Sequence, residues 1–123
     1  MSRPFEFRLR VRYAECDAQG VVFNARYGDY ADLAMNEFVR TLFGDYQSLL
    51  DQDLDIQVVS MTINWQAPAR FDDVLCARVR TQRLGNTSFT IGVDFSRYPG
   101  DEPIAHGELT YVVVSPASLT KKP

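Results

Sequence analysis

From residue 5 to residue 13 the chain alternates without a break, with Phe5, Phe7, Leu9, Val11 and Tyr13 on one side and Glu6, Arg8, Arg10 and Arg12 on the other. A period of two predicts a strand with one wet face, and the arginine row is first of all that face. Residues 14–20 are polar and end in Gly20, which predicts a loop needing positive φ at its last position. Then the period changes. Over residues 27–43 the apolar positions are Tyr27, Tyr30, Ala31, Ala34, Met35, Phe38, Val39 and Leu42, the spacing of an amphipathic helix. Asn24 is placed to cap it, Asp29 and Asp32 fall in its early turns, Arg40 falls in its last, and Gly44 stops it.

Residues 45–56 scatter Asp45, Asp51, Asp53 and Asp55 among Leu49, Leu50 and Leu54, which predicts a helical remnant or an irregular connection. Four strands follow. In residues 58–66, Met61, Ile63 and Trp65 alternate with Ser60, Thr62, Asn64 and Gln66, and Pro68 ends the run. In residues 74–82, Leu75, Ala77 and Val79 oppose Cys76, Arg78 and Arg80, with a turn at Leu84, Gly85 and Asn86. Residues 88–97 set Phe89, Ile91, Val93 and Phe95 against Ser88, Thr90, Gly92 and Asp94, before a turn at Tyr98, Pro99, Gly100 and Asp101. The last strand, residues 104–115, alternates more weakly through Ala105, Leu109, Tyr111 and Val113. It is apolar on both faces near Val112 and Val114, so its end is expected to be buried on both sides.

Strand, long helix, then four strands on short links make an α+β domain whose antiparallel sheet carries one helix on its apolar face. With 123 residues, one domain spanning residues 1–123 is expected.

Composition narrows the function. Hydrophobic residues make up 46% and charged residues 24%, the balance of a soluble globular protein. A net charge of −3 argues against a nucleic-acid partner, whose phosphates call for a basic surface. Two cysteines, Cys16 and Cys76, do not form a disulfide framework. The first residues lack a continuous apolar core of a signal peptide, and no run approaches the roughly 18 apolar residues of a spanning helix. A cytoplasmic protein with no transmembrane segment is expected.

The sole histidine, His106, sits in a strand and leaves no multi-histidine metal site, and no Cys-x-x-Cys pair occurs. No glycine-rich phosphate loop is present. No metal and no other cofactor is therefore expected. Cys16 lacks a base nearby in sequence and reads as a packed small residue. Asp17 alone reads as a turn residue, but its setting changes that. A helix N-terminus just beyond it offers unpaired N–H groups and the positive end of a dipole, fit to hold a carbonyl oxygen that gains charge during acyl transfer. A carboxylate beside it can attack that carbonyl or activate a water.

The stretch from Tyr13 through Asp17, Gly20, Val21, Val22, Phe23 and Asn24 to Tyr27 resembles the signature of the 4-hydroxybenzoyl-CoA thioesterase-like hotdog proteins. That group includes the acyl-CoA thioesterases associated with the Tol-Pal system. The likeness extends more loosely through residues 68–75 and the closing strands. It implies a curved antiparallel sheet of about five strands wrapped around one long central helix, and hydrolysis of an acyl-CoA thioester to free acid and CoA. It also implies a homodimer or homotetramer with active sites between protomers. The family aspartate falls on Asp17, and the residue whose backbone N–H polarises the thioester carbonyl falls at Asn24, where many relatives carry His or Tyr. Gly20, Val22, Phe23 and Tyr27 become substrate contacts, with Ser60, Met61, Thr62 and Asn64 reaching the acyl group from the other protomer. Arg70, Arg83 and Arg97 are candidates for the CoA phosphates.

Two other readings stand beside this one. A non-catalytic hotdog protein that binds acyl-CoA or an acyl carrier would be favoured by loss of the aspartate, which is present. A hotdog hydratase would be expected to pair Asp with His on the helix-loop segment, whereas His106 lies far along the chain.

Overall fold

A computed structural model describes residues 5–44 and 46–115. Strand β1, Phe5–Arg10, is followed by a single 3-10 turn, Tyr13–Glu15, and by the helix α1, Arg26–Phe43. A short helix α2, Tyr46–Asp51, leads into β2, Asp55–Trp65. Then come β3, Val74–Leu84, β4, Ser88–Tyr98, and β5, Glu102–Val114. The five strands form one sheet in the order β1-β3-β4-β5-β2, every neighbouring pair antiparallel.

The helix forms where the 3.6-residue period predicted it and buries that stripe. Tyr27, Tyr30, Ala31, Ala34, Met35 and Val39 are each at most 3% exposed. They share a core with Leu75, Val79, Ile91, Val93, Phe95 and Leu109 of the sheet. Phe38 reaches β1, its ring centroid 5.6 Å from that of Phe5. The side chain of Leu42, the last position of the predicted stripe, lies outside the described ones, as do that of Leu49 and all of Asp45. Gly44 ends the helix at φ 87°. Its N–H still donates to the Arg40 carbonyl at 2.8 Å, and its positive φ, which glycine adopts without strain, then turns the chain out of the helix.

The chain departs from the sequence pattern at three places. β1 stops at Arg10, because the Val11 N–H turns away to the Asp73 carbonyl at 2.8 Å. Tyr13, predicted on the apolar face of that strand, is therefore 79% exposed on the 3-10 turn. Asn24 does not cap α1: Ala25 holds that position, and no side chain caps the helix. The irregular connection contains the helix α2, and β2 starts at Asp55, three residues before the predicted strand.

β2 also differs in burial. It lies at the sheet edge and exposes Val58, Val59, Met61 and Trp65 by 41–59%. Its helix-side residues meet α1 only in passing. A Cβ built on Gly28 would lie 3.6 Å from Met61 Sδ, and the Trp65 ring stands edge-on to Tyr27 at 6.1 Å. By contrast β5 ends buried on both faces, as predicted, with Tyr111, Val112 and Val114 each at most 7% exposed.

Candidate active site

Between the 3-10 turn and α1 the chain folds back on itself. Cys16 and Val22 pair as an isolated antiparallel bridge. Inside it, the Asp17 N–H donates to the Val21 carbonyl and the Gly20 N–H to the Asp17 carbonyl, both at 2.9 Å. Gly20 takes φ 81°, which closes the turn as the sequence predicted. The Asp17 side chain is exposed. Its Oδ1 accepts the Gln19 N–H at 2.8 Å, an Asx turn that fixes the rotamer and, among the described residues, leaves Oδ2 without a protein partner. A pocket of about 470 Å³ opens here, lined by Tyr13, Ala14, Cys16, Asp17, Gly20 and Phe71 among others.

The start of α1 follows at once. The N–H groups of Arg26, Tyr27 and Gly28 donate to the carbonyls of Phe23, Asn24 and Ala25 at 2.9–3.3 Å. They are used up in the first turn. Among the described residues, the N–H groups of Asn24 and Ala25 have no intramolecular acceptor. They are unpaired donors at the positive end of an 18-residue helix, a short way along the chain from the Asp17 carboxylate.

The remaining candidates divide. Gly20 lines the Asp17 pocket, and Phe23 and Asn24 are exposed at the helix start. Val22 and Tyr27, 3% and 1% exposed, face the core. Burial pushes the Tyr27 hydroxyl above its ordinary pKa, so it stays protonated. Ser60, Met61, Thr62 and Asn64 lie on β2, in register with Thr110, Leu109, Glu108 and His106. None of these four lines the pocket at Asp17 of the same protomer. Strand alternation puts Met61 on the helix side, against Gly28, and Ser60, Thr62 and Asn64 on the opposite side.

Cys16 donates weakly to the Arg12 carbonyl at 3.8 Å. Burial, then the neighbouring Asp17 charge, raise its thiol pKa, which keeps it a poor nucleophile. His106 belongs elsewhere. Its Nδ1 lies 2.6 Å from Asp94 Oδ1, in a separate hollow lined with Arg78, Arg80 and Asp94. Arg97 is committed to structure, donating to the Pro68 carbonyl at 2.7 Å and pairing with Glu102 at 3.2 Å. Its buried Nε has only Asp73 at 3.7 Å, beyond hydrogen-bond reach. Arg70 and Arg83 are exposed. Among the described residues, no group of three or more His, Cys, Asp or Glu side chains is arranged to hold a metal ion.

The sequence pattern that defines the thioesterase superfamily matches residues 19–115. The chain belongs to the thioesterase superfamily. It is 31% identical over 119 residues to the acyl-CoA thioester hydrolase YbgC of Escherichia coli O6:H1, spanning 97% of this chain and 87% of that one. With the acyl-CoA thioesterase YbgC of Haemophilus influenzae it shares 40% identity over 81 residues, 65% of this chain and 60% of that one. The crystal structure of the hypothetical protein AQ1494 from Aquifex aeolicus superposes with a TM-score of 0.88 at 26% identity, covering 98% of this chain and 94% of that one. The sheet wrapped on one long helix is accordingly the hotdog fold.

Two features of this thioesterase were not found in the sequence. One is the edge-to-face contact of Tyr13 with Phe71, centroids 5.9 Å apart, on the rim of the Asp17 pocket. The other is Glu15, 6% exposed in a segment that reads as a polar loop. Its available signal was Tyr30, a core position whose hydroxyl needs a partner.

Proposed function

We propose that this chain hydrolyses the thioester of an acyl-CoA to the free acid and CoA, with Asp17 as the reacting carboxylate and the Asn24 amide as the donor to the thioester oxygen. What supports the reading is an exposed, rotamer-fixed Asp17 on the turn that leads into the unpaired amides of Asn24 and Ala25 at the start of α1, in a chain of the thioesterase superfamily. The names of the two YbgC relatives support the substrate class.

In this reading the carbonyl oxygen sits on the free amides, which stabilise the negative charge that builds there. The carboxylate either adds to the carbonyl carbon, expelling CoA thiolate and leaving an anhydride that water opens, or takes a proton from the water that adds. In both routes the C–S bond breaks and water supplies the acid's new oxygen. The thiolate regains a proton.

The protein works as one domain and as a homodimer or homotetramer. Support comes from β2, an eleven-residue edge strand with exposed Val58, Val59, Met61 and Trp65, since a long apolar edge calls for a partner. A second copy docked there would bring its own Ser60, Met61, Thr62 and Asn64 toward a neighbouring site. Gly20 and Phe23 contact substrate, while Val22 and Tyr27 shape the wall from behind. Arg70 and Arg83, both exposed, are the candidates for the CoA phosphates. The unpaired thiols of Cys16 and Cys76 suit a cytoplasmic setting.

A panel of short, long and aromatic acyl-CoAs, assayed for thiol release, tests the activity. Hydrolysis of at least one class is expected; binding without hydrolysis across the whole panel would overturn the reading.

A further inference from the structure

Glu15 stands two positions before Asp17 and takes no part in the chemistry above, yet it is one of the most heavily bonded side chains in the protein. Its Oε1 accepts the Arg12 N–H at 2.9 Å and the Tyr30 hydroxyl at 2.8 Å. Its Oε2 accepts from Arg12 Nε at 2.9 Å and Nη2 at 2.6 Å. Four donors to one buried carboxylate satisfy it fully. Burial alone would push its carboxyl pKa up, but the bonds from Arg12 and Tyr30 outweigh that and hold it below the ordinary value, so Glu15 is charged at neutral pH.

The main chain of the same residue closes the loop. The Glu15 carbonyl accepts the Phe23 N–H at 2.9 Å, just outside the Cys16–Val22 bridge. One residue thus joins the 3-10 turn that enters the Asp17 loop, the backbone that leaves it, and the second turn of α1. Tyr30 itself is anchored in the core, 1% exposed and packed against Tyr27 and Phe95. The loop contains little apolar anchorage of its own, since residues 17–20 are all exposed.

We propose that Glu15 is the positioning residue of this site: by gripping Tyr30 it fixes the Asp17 loop against the start of α1, so that carboxylate and free amides address the same carbonyl. The inference rests on the role assigned to Asp17 above. A shift of about 1 Å in such a group costs on the order of a hundredfold in rate, so a rigid tie to a core tyrosine has a direct effect on turnover.

Tyr30→Phe removes only the hydroxyl and keeps the ring in the core; Glu15→Gln removes the charge. In both variants, amide hydrogen exchange at Asp17, Gly20 and Phe23 should quicken by about tenfold or more, while Ile91 and Val93 in β4 keep their protection. The kcat should fall about tenfold with KM little changed. In an Asp17→Asn background, Tyr30→Phe should cost nothing further, because it acts through that carboxylate. Should Glu15→Gln fail to fold, Tyr30→Phe carries the test alone. Unchanged loop exchange overturns the proposal, as does a loosened loop with unchanged kcat or a loss that multiplies on Asp17→Asn. If the wild type hydrolyses no thioester, the role of Asp17 falls separately, and the exchange result still decides whether Glu15 fixes the loop.

Discussion

Asp17 and Val21 are joined across the turn by an N–H to carbonyl bond of 2.9 Å, and the one residue whose backbone makes that closure possible is Gly20, at φ 81°. A side chain at position 20 would meet no atom within 4 Å, so its cost is conformational alone. Gly20→Ala should lower stability by about 1–2 kcal/mol, measurable by urea denaturation. It should also lower kcat, because the strain is relieved by moving Asp17. Unchanged stability and turnover would show that the turn tolerates another geometry.

The helix start separates amide from side chain. Asn24 does not cap α1, so Asn24→Ala should change stability by less than about 0.5 kcal/mol and leave turnover near wild type. Asn24→Pro should also fold, since the Arg26 N–H to Phe23 carbonyl bond puts residue 24 second in a turn, where proline is favoured. It removes a donor with no partner in the free protein, and kcat should drop by about 10²–10³-fold. Equal losses in both variants, measured by steady-state hydrolysis, would move the work to the amide side chain.

Much of the fold was legible because it rests on local periods. Tyr27, Tyr30, Ala31, Ala34, Met35 and Val39 of the helix stripe and Ile91, Val93 and Phe95 of the strand alternation are buried as read, with Phe38 and Phe89 half-buried at the core's margin; β4 buries Thr90 and Ser96 of its polar face as well. Tyr13 was misplaced because a continuing pattern says nothing of where hydrogen bonds leave the sheet, here at Val11. The exposure of β2 depends on sheet order, which sequence spacing does not encode. At the site, Asp17 and Gly20 were legible from their turn chemistry, whereas the partnership of Glu15 with Tyr30 joins residues of two different elements and exists only after packing.

Acid should weaken the fold through Glu15. Its folded pKa lies below the ordinary 4.5, so the unfolded chain binds protons first, and the stabilisation present above pH 4.5 is lost as the pH falls through the folded value. Thermal melts of wild type and Glu15→Gln between pH 7 and pH 3 should converge on acidification. A constant gap across that range would contradict the assignment.

The exposed edge of β2 should carry self-association. Val59 is 59% exposed there, and Val59→Lys places a charge of the kind that blocks edge pairing. Sedimentation at micromolar concentration should show an oligomer for the wild type and a smaller species for the variant, with hydrolysis reduced in step. A monomeric wild type that hydrolyses thioesters would exclude a site shared between protomers.

Asp17→Asn is the most direct test of the account. The substitution keeps size and can still accept the Gln19 N–H, so fold and oligomeric state should survive, and a non-hydrolysable acyl-CoA analogue should bind nearly as before. What is lost is the carboxylate's nucleophilicity and basicity. Steady-state hydrolysis of the best acyl-CoA by the folded variant should show kcat lower by roughly 10²-fold or more, whereas turnover close to wild type would contradict the central role given to Asp17.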